Sequence, residues 1–441
     1  MGTFNQRPDI PRPNTISAGS DRLAAASNTS GLHMRKVIYA WNYHSWGGAQ
    51  IHILALIKTV SRTFDVTVIL PEGSDGKFLG YLRTMGVKYE LFKGSCDFGP
   101  AVGIVQKIRR HIRKFRSEYA MLRAIGQHDL HDSIVHVDLL PHSSLSSLIW
   151  LSLRSDVFIT SHNALPYVQK WREMLWRIKS RVISRFKNFN VFCSNEHAKQ
   201  YFAKHYSPEV AERIDVTYTS INPEEIDQAL ARDFDRDKHL ADLGIATDTF
   251  VVLTVGNFID RKGRWTLLDA ASKVTREHPD SNIVFLWLTP ALPDDTDTAR
   301  VESCGLGDRF KLVPSDSVGT NRLDVLSFFR TADTFVLPSF VEGLPIALLE
   351  AMALGLPCIS TNVYAIPEAL IHNRTGLLIE ACDSDSLAAA VLSMRNDPDL
   401  RLRLGREARN LVTRDFDERK VADVVLERYN QVMPANIDER S

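Results

Sequence analysis

The chain has 441 residues, with 53 Lys and Arg balancing 53 Asp and Glu, 44% hydrophobic and 24% charged residues, and five cysteines. At roughly 150 residues per domain this is room for more than one hydrophobic core, and the fractions exclude collagen-like, coiled-coil and wholly disordered chains. Zero net charge excludes a chain-wide polyanion binder.

Residues 1–33 are rich in Ser, Asn, Pro and Gly, with no charged stretch leading into an apolar core. They read as a disordered tail and not as a signal peptide. Folded structure is expected from Met34, with Lys36-Val-Ile-Tyr-Ala-Trp41 as the first strand. Trp46-Gly47-Gly48-Ala49-Gln50 then opens a helix over 49–60. This is not the Gly-x-Gly-x-x-Gly dinucleotide fingerprint, but a glycine loop at a helix N-terminus can still approach a phosphate.

Further strands are expected at 65–70, 133–137, 157–160 and 190–193, and again at 250–255, 282–288, 334–337 and 357–360. These runs are continuously apolar, as in strands covered on both faces. Helical patterns such as 49–60, 265–277 and 385–395 lie between them, so the fold class is α/β with parallel sheets. The pattern lapses near 221–248, which places a boundary there between two α/β domains, 34–220 and 221–441. A cleft between them is the first place to look for a ligand. The acidic residues Asp233, Asp235 and Asp237 in this stretch read as solvated charge. Cys96, Cys193, Cys304, Cys358 and Cys382 are odd in number and form no Cys-x-x-Cys, which suits a reducing cytoplasm and gives no structural zinc site. No apolar run reaches the 18 residues needed to span a bilayer; the nearest, Leu145 to Leu153, is short and broken by serines.

Zero net charge conceals an asymmetry. Residues 34–220 hold 26 Lys and Arg against 15 Asp and Glu, a net +11, whereas 221–441 hold 24 against 36. The excess concentrates in Gln106–Arg116 and Lys170–Lys187. In the second run Trp171, Leu175, Ile178 and Val182 recur at helical spacing, which fits either a stripe packed on the core or a basic helix lying on an anionic membrane surface. No nucleic-acid-binding motif accompanies the charge.

Four segments carry candidate chemistry. In Pro338-Ser-Phe-Val-Glu342-Gly343-Leu344-Pro345-Ile-Ala-Leu-Leu-Glu350-Ala-Met-Ala-Leu-Gly355, Pro345 is expected to open a helix that is apolar except for Glu350. A lone buried carboxylate requires an Arg or Lys partner, or a ligand that donates hydrogen bonds, such as a vicinal diol. Gly256-Asn257-Phe-Ile-Asp-Arg261-Lys262-Gly263 follows a strand and offers two adjacent cations suited to a diphosphate. Gly47 and Gly48 form the third segment. His162 stands at the end of strand 157–160, facing the expected cleft.

Taken together, these motifs resemble glycosyltransferase family four, the retaining sugar transferases of GT-B architecture, with two Rossmann-like domains facing a cleft. The Glu342-x7-Glu350 block carries the resemblance, and Ala332–Ser339 and Asn373-Arg-Thr-Gly-Leu-Leu378 corroborate it over Met34 to Val432. The resemblance implies hexose transfer from a nucleotide-diphosphate sugar to a saccharide or lipid-linked acceptor in cell-surface polysaccharide synthesis, with no cofactor and no metal. By the same resemblance Glu350 holds the ribose; Glu342, Gly343 and Leu344, ahead of Pro345, meet the sugar and phosphates. Lys262, with Arg261 or Asn257, binds the diphosphate; His162 sits by the sugar; and Gly47 and Gly48 close on the phosphates or admit the acceptor. Two departures stand out: Asn257 where the family often has Arg, and Tyr364-Ala365 where it usually has Gly-Gly before Ile-Pro-Glu368. Two alternatives keep the fold: a nucleotide-sugar epimerase, and a catalytically inactive scaffold in a polysaccharide-assembly complex.

Overall fold

The computed structural model describes residues 35–44, 48–94, 103–162, 168–319 and 321–432. The tail at 1–33, Gly47 and Cys96 lie outside the described residues. Strands β1 (Lys36–Ala40), β2 (Asp65–Pro71), β3 (Lys88–Phe92), β4 (Ser133–Val137), β5 (Asp156–Ser161), β6 (Phe189–Cys193) and β7 (Asp215–Val216) form one parallel sheet, ordered β3-β2-β1-β4-β5-β6-β7. A second parallel sheet contains β8 (Phe250–Val255), β9 (Ile283–Thr289), β10 (Phe310–Pro314), β11 (Thr334–Leu337), β12 (Cys358–Thr361) and β13 (Leu377–Ile379), ordered β10-β9-β8-β11-β12-β13. Register follows the hydrophobic runs, with Val37 opposite Val66 and Ile134, and Val251 opposite Val284.

Helices cover both faces of each sheet, which is why the central strands read as unbroken apolar runs. On one face of the first sheet lie Met121, Ile125, Leu148, Leu151 and Ile183. On the other, Ile53, Leu56 and Ile57 pack with Val421, Ala422, Val425 and Tyr429 of the last helix, Glu418–Val432. The second sheet is covered by Leu267, Leu268, Leu387 and Val391 on one side and by Leu348, Leu349, Leu326 and Ile226 on the other. Each such fully buried Leu or Ile contributes about 1.5–3 kcal/mol.

Residues 221–248, where the pattern was expected to lapse, contain two helices, Pro223–Ala231 and Arg236–Asp242. Both are too short to show a clear period, and both begin at a cap: Asn222 accepts from the Glu224 and Glu225 N–H groups, and Asp235 from that of Lys238. Asp235 is therefore a helix cap, and among the described residues no group of three or more His, Cys, Asp or Glu is placed to hold a metal ion.

In both sheets the strand order reverses beside the first strand, between β1 and β4 and between β8 and β11. At such a reversal the flanking loops leave in opposite directions and open a crevice at the carboxyl ends of the strands.

Candidate active site

The crevice of the second sheet is built by two loops pressed together. After β8, Gly256 has φ +143° and Gly263 φ +76°, backbone regions that favour glycine. A Cβ at Gly263 would lie 1.8 Å from the Pro338 carbonyl oxygen, so a side chain there would push the loop off the segment that follows β11. The contact is tied by the Phe340 N–H donating to the Arg261 carbonyl (2.8 Å), and the Trp287 indole N–H donates to the Gly256 carbonyl (2.8 Å).

This docking brings the Lys262 ammonium to 2.5 Å from the Glu342 carboxylate, with both side chains largely buried. The Ser339 hydroxyl donates to the same oxygen (3.0 Å), and the Arg261 guanidinium, half exposed, stands 3.5 Å away. Gly343 is partly exposed, Leu344 is buried and Asn257 is exposed at the mouth of the loop. Pro345 is the N-cap of helix Ile346–Ala353 and not its first helical residue, a shift of one position from the sequence expectation. With φ −73° and ψ 122° it is extended, and its carbonyl accepts the first helical hydrogen bonds, from the N–H groups of Leu348 and Leu349.

Glu350, only 5% exposed on that helix, has its partner in Arg322, which forms an ion pair with it and a second one with Glu225 at 2.6 Å. Burial opposes the Arg322 charge, but Glu350 and Glu225 more than offset this and keep the guanidinium protonated. Burial pushes the Glu350 carboxyl up, and Arg322 acts against that rise. Arg322 opens helix Arg322–Phe328, whose start is fixed by a capping box between Asn321 and Asp324. Burial, and then the Glu225 charge, raise the pKa of the Tyr81 hydroxyl, in helix Gly76–Thr84 of the first lobe, with Arg322 opposing.

On the first lobe His162 follows β5. Its carbonyl accepts hydrogen bonds from the Ser194 hydroxyl (2.7 Å) and the Asn195 amide (3.1 Å). Its ring lies edge-on to His52 at 5.7 Å and borders a small cavity with Tyr39, Trp41, His136, Asp138 and Thr160. Among the described residues the His162 Nε2 is buried without a hydrogen-bond partner. Beneath it, His136 is held between the Tyr429 hydroxyl (2.6 Å) and the Thr160 hydroxyl (2.7 Å). Burial lowers the His162 pKa, with Asp138 opposing, and burial together with His162 lowers that of His136 to about 3. Both rings are thus neutral at pH 7. Gly48 is the first residue of helix Gly48–Val60.

The carboxyl ends of the two sheets face one another. Glu368, which follows β12, accepts hydrogen bonds from the backbone N–H groups of Glu196 (2.9 Å) and His197 (2.8 Å), the first turn of helix Glu196–Ala203 after β6. Alongside, Tyr364 has φ +48° and its ring meets His197 edge-on at 5.2 Å. The tyrosine therefore occupies a left-handed position where glycine costs nothing.

Arg322, Glu225 and Asp138 were not singled out in the sequence, and Ser339 and Glu368 appeared there only as parts of quoted motifs, with no role given. Apart from the Asn321 cap, nothing marked Arg322, because its partners are distant in the chain and sequence spacing reports only neighbours on one element.

Residues 235–411 match the family model described as glycosyl transferases group 1. The D-inositol 3-phosphate glycosyltransferase of Arthrobacter sp. (strain FB24) is 26% identical over 226 residues, 51% of this chain and 52% of that protein. The UDP-Gal:alpha-D-GlcNAc-diphosphoundecaprenol alpha-1,3-galactosyltransferase of Escherichia coli is 30% identical over 190 residues, 42% of this chain and 47% of that one. The chain thus spans about half the length of the curated relatives it matches. Among solved structures, Anabaena Alr3699/HepE in complex with UDP-glucose superposes with a TM-score of 0.68 at 16% identity, covering 90% of this chain and 100% of that one. The architecture is GT-B.

Proposed function

Residues 235–411 belong to the glycosyl transferases group 1 family, and from that premise we propose that this chain transfers a hexose from a nucleoside-diphosphate sugar to a saccharide or lipid-linked acceptor, with retention at the anomeric carbon. The observation that carries the reading is the Lys262–Glu342 ion pair, joined by Ser339 and Arg261, at the strand-order reversal between β8 and β11.

Breaking a glycosyl–phosphate bond leaves negative charge on the departing diphosphate. In this reading Lys262 and Arg261, with the free N–H groups around Gly343 and Leu344, receive that charge and need no metal. Glu342 holds Lys262 in place until the diphosphate arrives. Glu350, oriented by Arg322, accepts the hydroxyls of the ribose. The neutral His162 ring points its unpartnered Nε2 at a hydroxyl of the transferred sugar. No carboxylate is assigned as a nucleophile, so the acceptor hydroxyl attacks from the face the diphosphate leaves and passes its proton to a leaving phosphate oxygen. Gly48, at the start of helix Gly48–Val60, meets the phosphates or admits the acceptor. Assembly of a cell-surface polysaccharide in the cytoplasm is the setting this chemistry suits.

The test is release of nucleoside diphosphate from a panel of UDP-, GDP- and ADP-hexoses, with oligosaccharide and polyprenyl-diphosphate-sugar acceptors, and NMR of the product's anomeric carbon. Acceptor-dependent release with retained configuration supports the proposal. A donor altered without an acceptor indicates an epimerase, and no reaction with any pair indicates a scaffold.

A further inference from the structure

Of the 15 large hydrophobic side chains exposed among the described residues, ten lie on two helices of the first lobe, Ile104–Ile125 and Lys170–Ile183. On the first helix Ile104, Val105, Ile108, Ile112, Phe115 and Tyr119 are between 53% and 77% exposed. At 3.6 residues per turn these six fall within an arc of about 100° and run about 22 Å along the helix. They are not the face this helix uses in the fold, which is Ser117, Glu118, Met121 and Ile125. Exposed Arg109 and Arg116 border one edge of the arc on the same wheel.

The second helix repeats the arrangement. Trp171, Met174, Leu175 and Ile178 are 41% to 62% exposed along one side, whereas Trp176 stacks on His142 (4.2 Å) and Ser180 and Ile183 face the core. At Trp171, Leu175 and Ile178 the apolar spacing noted in the sequence is therefore a solvent-facing stripe and not core packing, whereas Val182 is partly buried. Arg172 lies over the Trp171 ring at 5.3 Å, and Arg177 and Arg181 border the stripe.

The two stripes belong to one region. Lys114 on the first helix donates to the Ser143 carbonyl (3.5 Å) and Lys179 on the second to the His142 carbonyl (2.8 Å), so both reach the same turn at the start of helix Pro141–Ser152. Each helix follows a strand of the first sheet, β3 or β5, and so begins at the carboxyl edge where His162 stands.

We propose that these two helices dock the protein on an anionic lipid bilayer, the apolar stripes entering the headgroup boundary and the flanking arginines meeting lipid phosphates. Charge selects this occupant. An apolar stripe bordered by several arginines is poorly matched to a second copy of itself, which would oppose like charges across the contact, and well matched to a negatively charged sheet of lipid. Such docking sets the mouth of the cleft at the membrane, where a lipid-linked acceptor resides. The inference does not depend on the chemistry of the cleft; a chain that transferred nothing would dock in the same way.

Co-sedimentation of the full chain with vesicles of phosphatidylcholine alone, or with about one-third phosphatidylglycerol, tests it. Binding is expected to the anionic vesicles at low salt and to weaken as salt rises. Arg109→Ala with Arg116→Ala should weaken partitioning about 30-fold, from about five-fold per basic residue. Ile112→Ser with Phe115→Ser, and separately Trp171→Ser with Ile178→Ser, should reduce it at unchanged Tm, because these side chains are exposed. Absence of wild-type binding to anionic vesicles overturns the proposal, as does equal binding to both vesicle types. Self-association by light scattering that the same serine variants abolish, without vesicle binding, assigns the face to a second copy and overturns it too.

Discussion

Replacing Lys262 by Met removes the ammonium from beside Glu342 while keeping the volume of the side chain. Glu342 is 6% exposed and would keep the Ser339 hydroxyl at 3.0 Å and the Arg261 guanidinium at 3.5 Å. Stripping one partner from a buried pair costs about 3–5 kcal/mol, and the two remaining partners place the expected loss at about 2–3 kcal/mol. The double variant Lys262→Met with Glu342→Gln leaves no uncompensated buried charge, since Arg261, which also loses its carboxylate partner, is half exposed to water, and it should recover most of that stability. Catalysis should behave differently, because the cation is needed again when charge develops on the diphosphate. Turnover should fall by about 10²–10³ in the single variant and stay low in the double variant. Urea denaturation of the four members of the cycle gives the coupling energy, and nucleoside-diphosphate release gives the rates. A coupling below about 0.5 kcal/mol would refute the structural role, and turnover within ten-fold of wild type in Lys262→Met would refute the catalytic one.

Three further outcomes follow from the geometry. Gly263→Ala should lower the Tm and abolish stabilisation by nucleotide, because its Cβ meets the Pro338 carbonyl at 1.8 Å; Gly305→Ala, also at positive φ but with open space around it, should cost only about 1–2 kcal/mol and spare binding, and equal effects would contradict the loop-docking argument. His136 is held neutral with a folded pKa of about 3 against about 6.5 unfolded, so below pH 6.5 the unfolded state binds the extra proton and stability falls as pH drops, by about 1.4 kcal/mol per unit. His136→Phe should reduce the slope of stability between pH 4 and 6 by that amount, and an unchanged slope would show that the ring is not buried neutral. Glu368→Gln should weaken the clasp between lobes by about 1–2 kcal/mol, read as faster hydrogen exchange at the Glu196 and His197 amides, with unchanged exchange counting against it.

The central strands were legible in the sequence because burial on both faces leaves continuous apolar runs. The strands that escaped notice, β3, β7, β10 and β13, are the four edges of the two sheets. An edge strand packs on fewer neighbours and need not be apolar: Lys88-Tyr-Glu-Leu-Phe92 is mostly exposed, and β7 has two residues. In the site, Glu342, Lys262 and Glu350 could be singled out because a carboxylate in an apolar helix and paired cations after a strand are conspicuous locally. Arg322 could not, since it is answered by Glu225, 97 residues away, and by Glu350 on another element. Tyr364 looked like a departure from a glycine pair, and the structure adds that it keeps the left-handed backbone and uses its ring against His197.

The most direct test of the donor cleft is thermal stabilisation of wild type and Glu350→Ala by UDP, GDP and ADP and their hexose conjugates. The account predicts a shift selective for one nucleotide in the wild type, absent in the variant, with about 2.7 kcal/mol of stabilisation at a ligand concentration 100 times Kd. The same shift in Glu350→Ala, or no shift with any nucleotide, would contradict it.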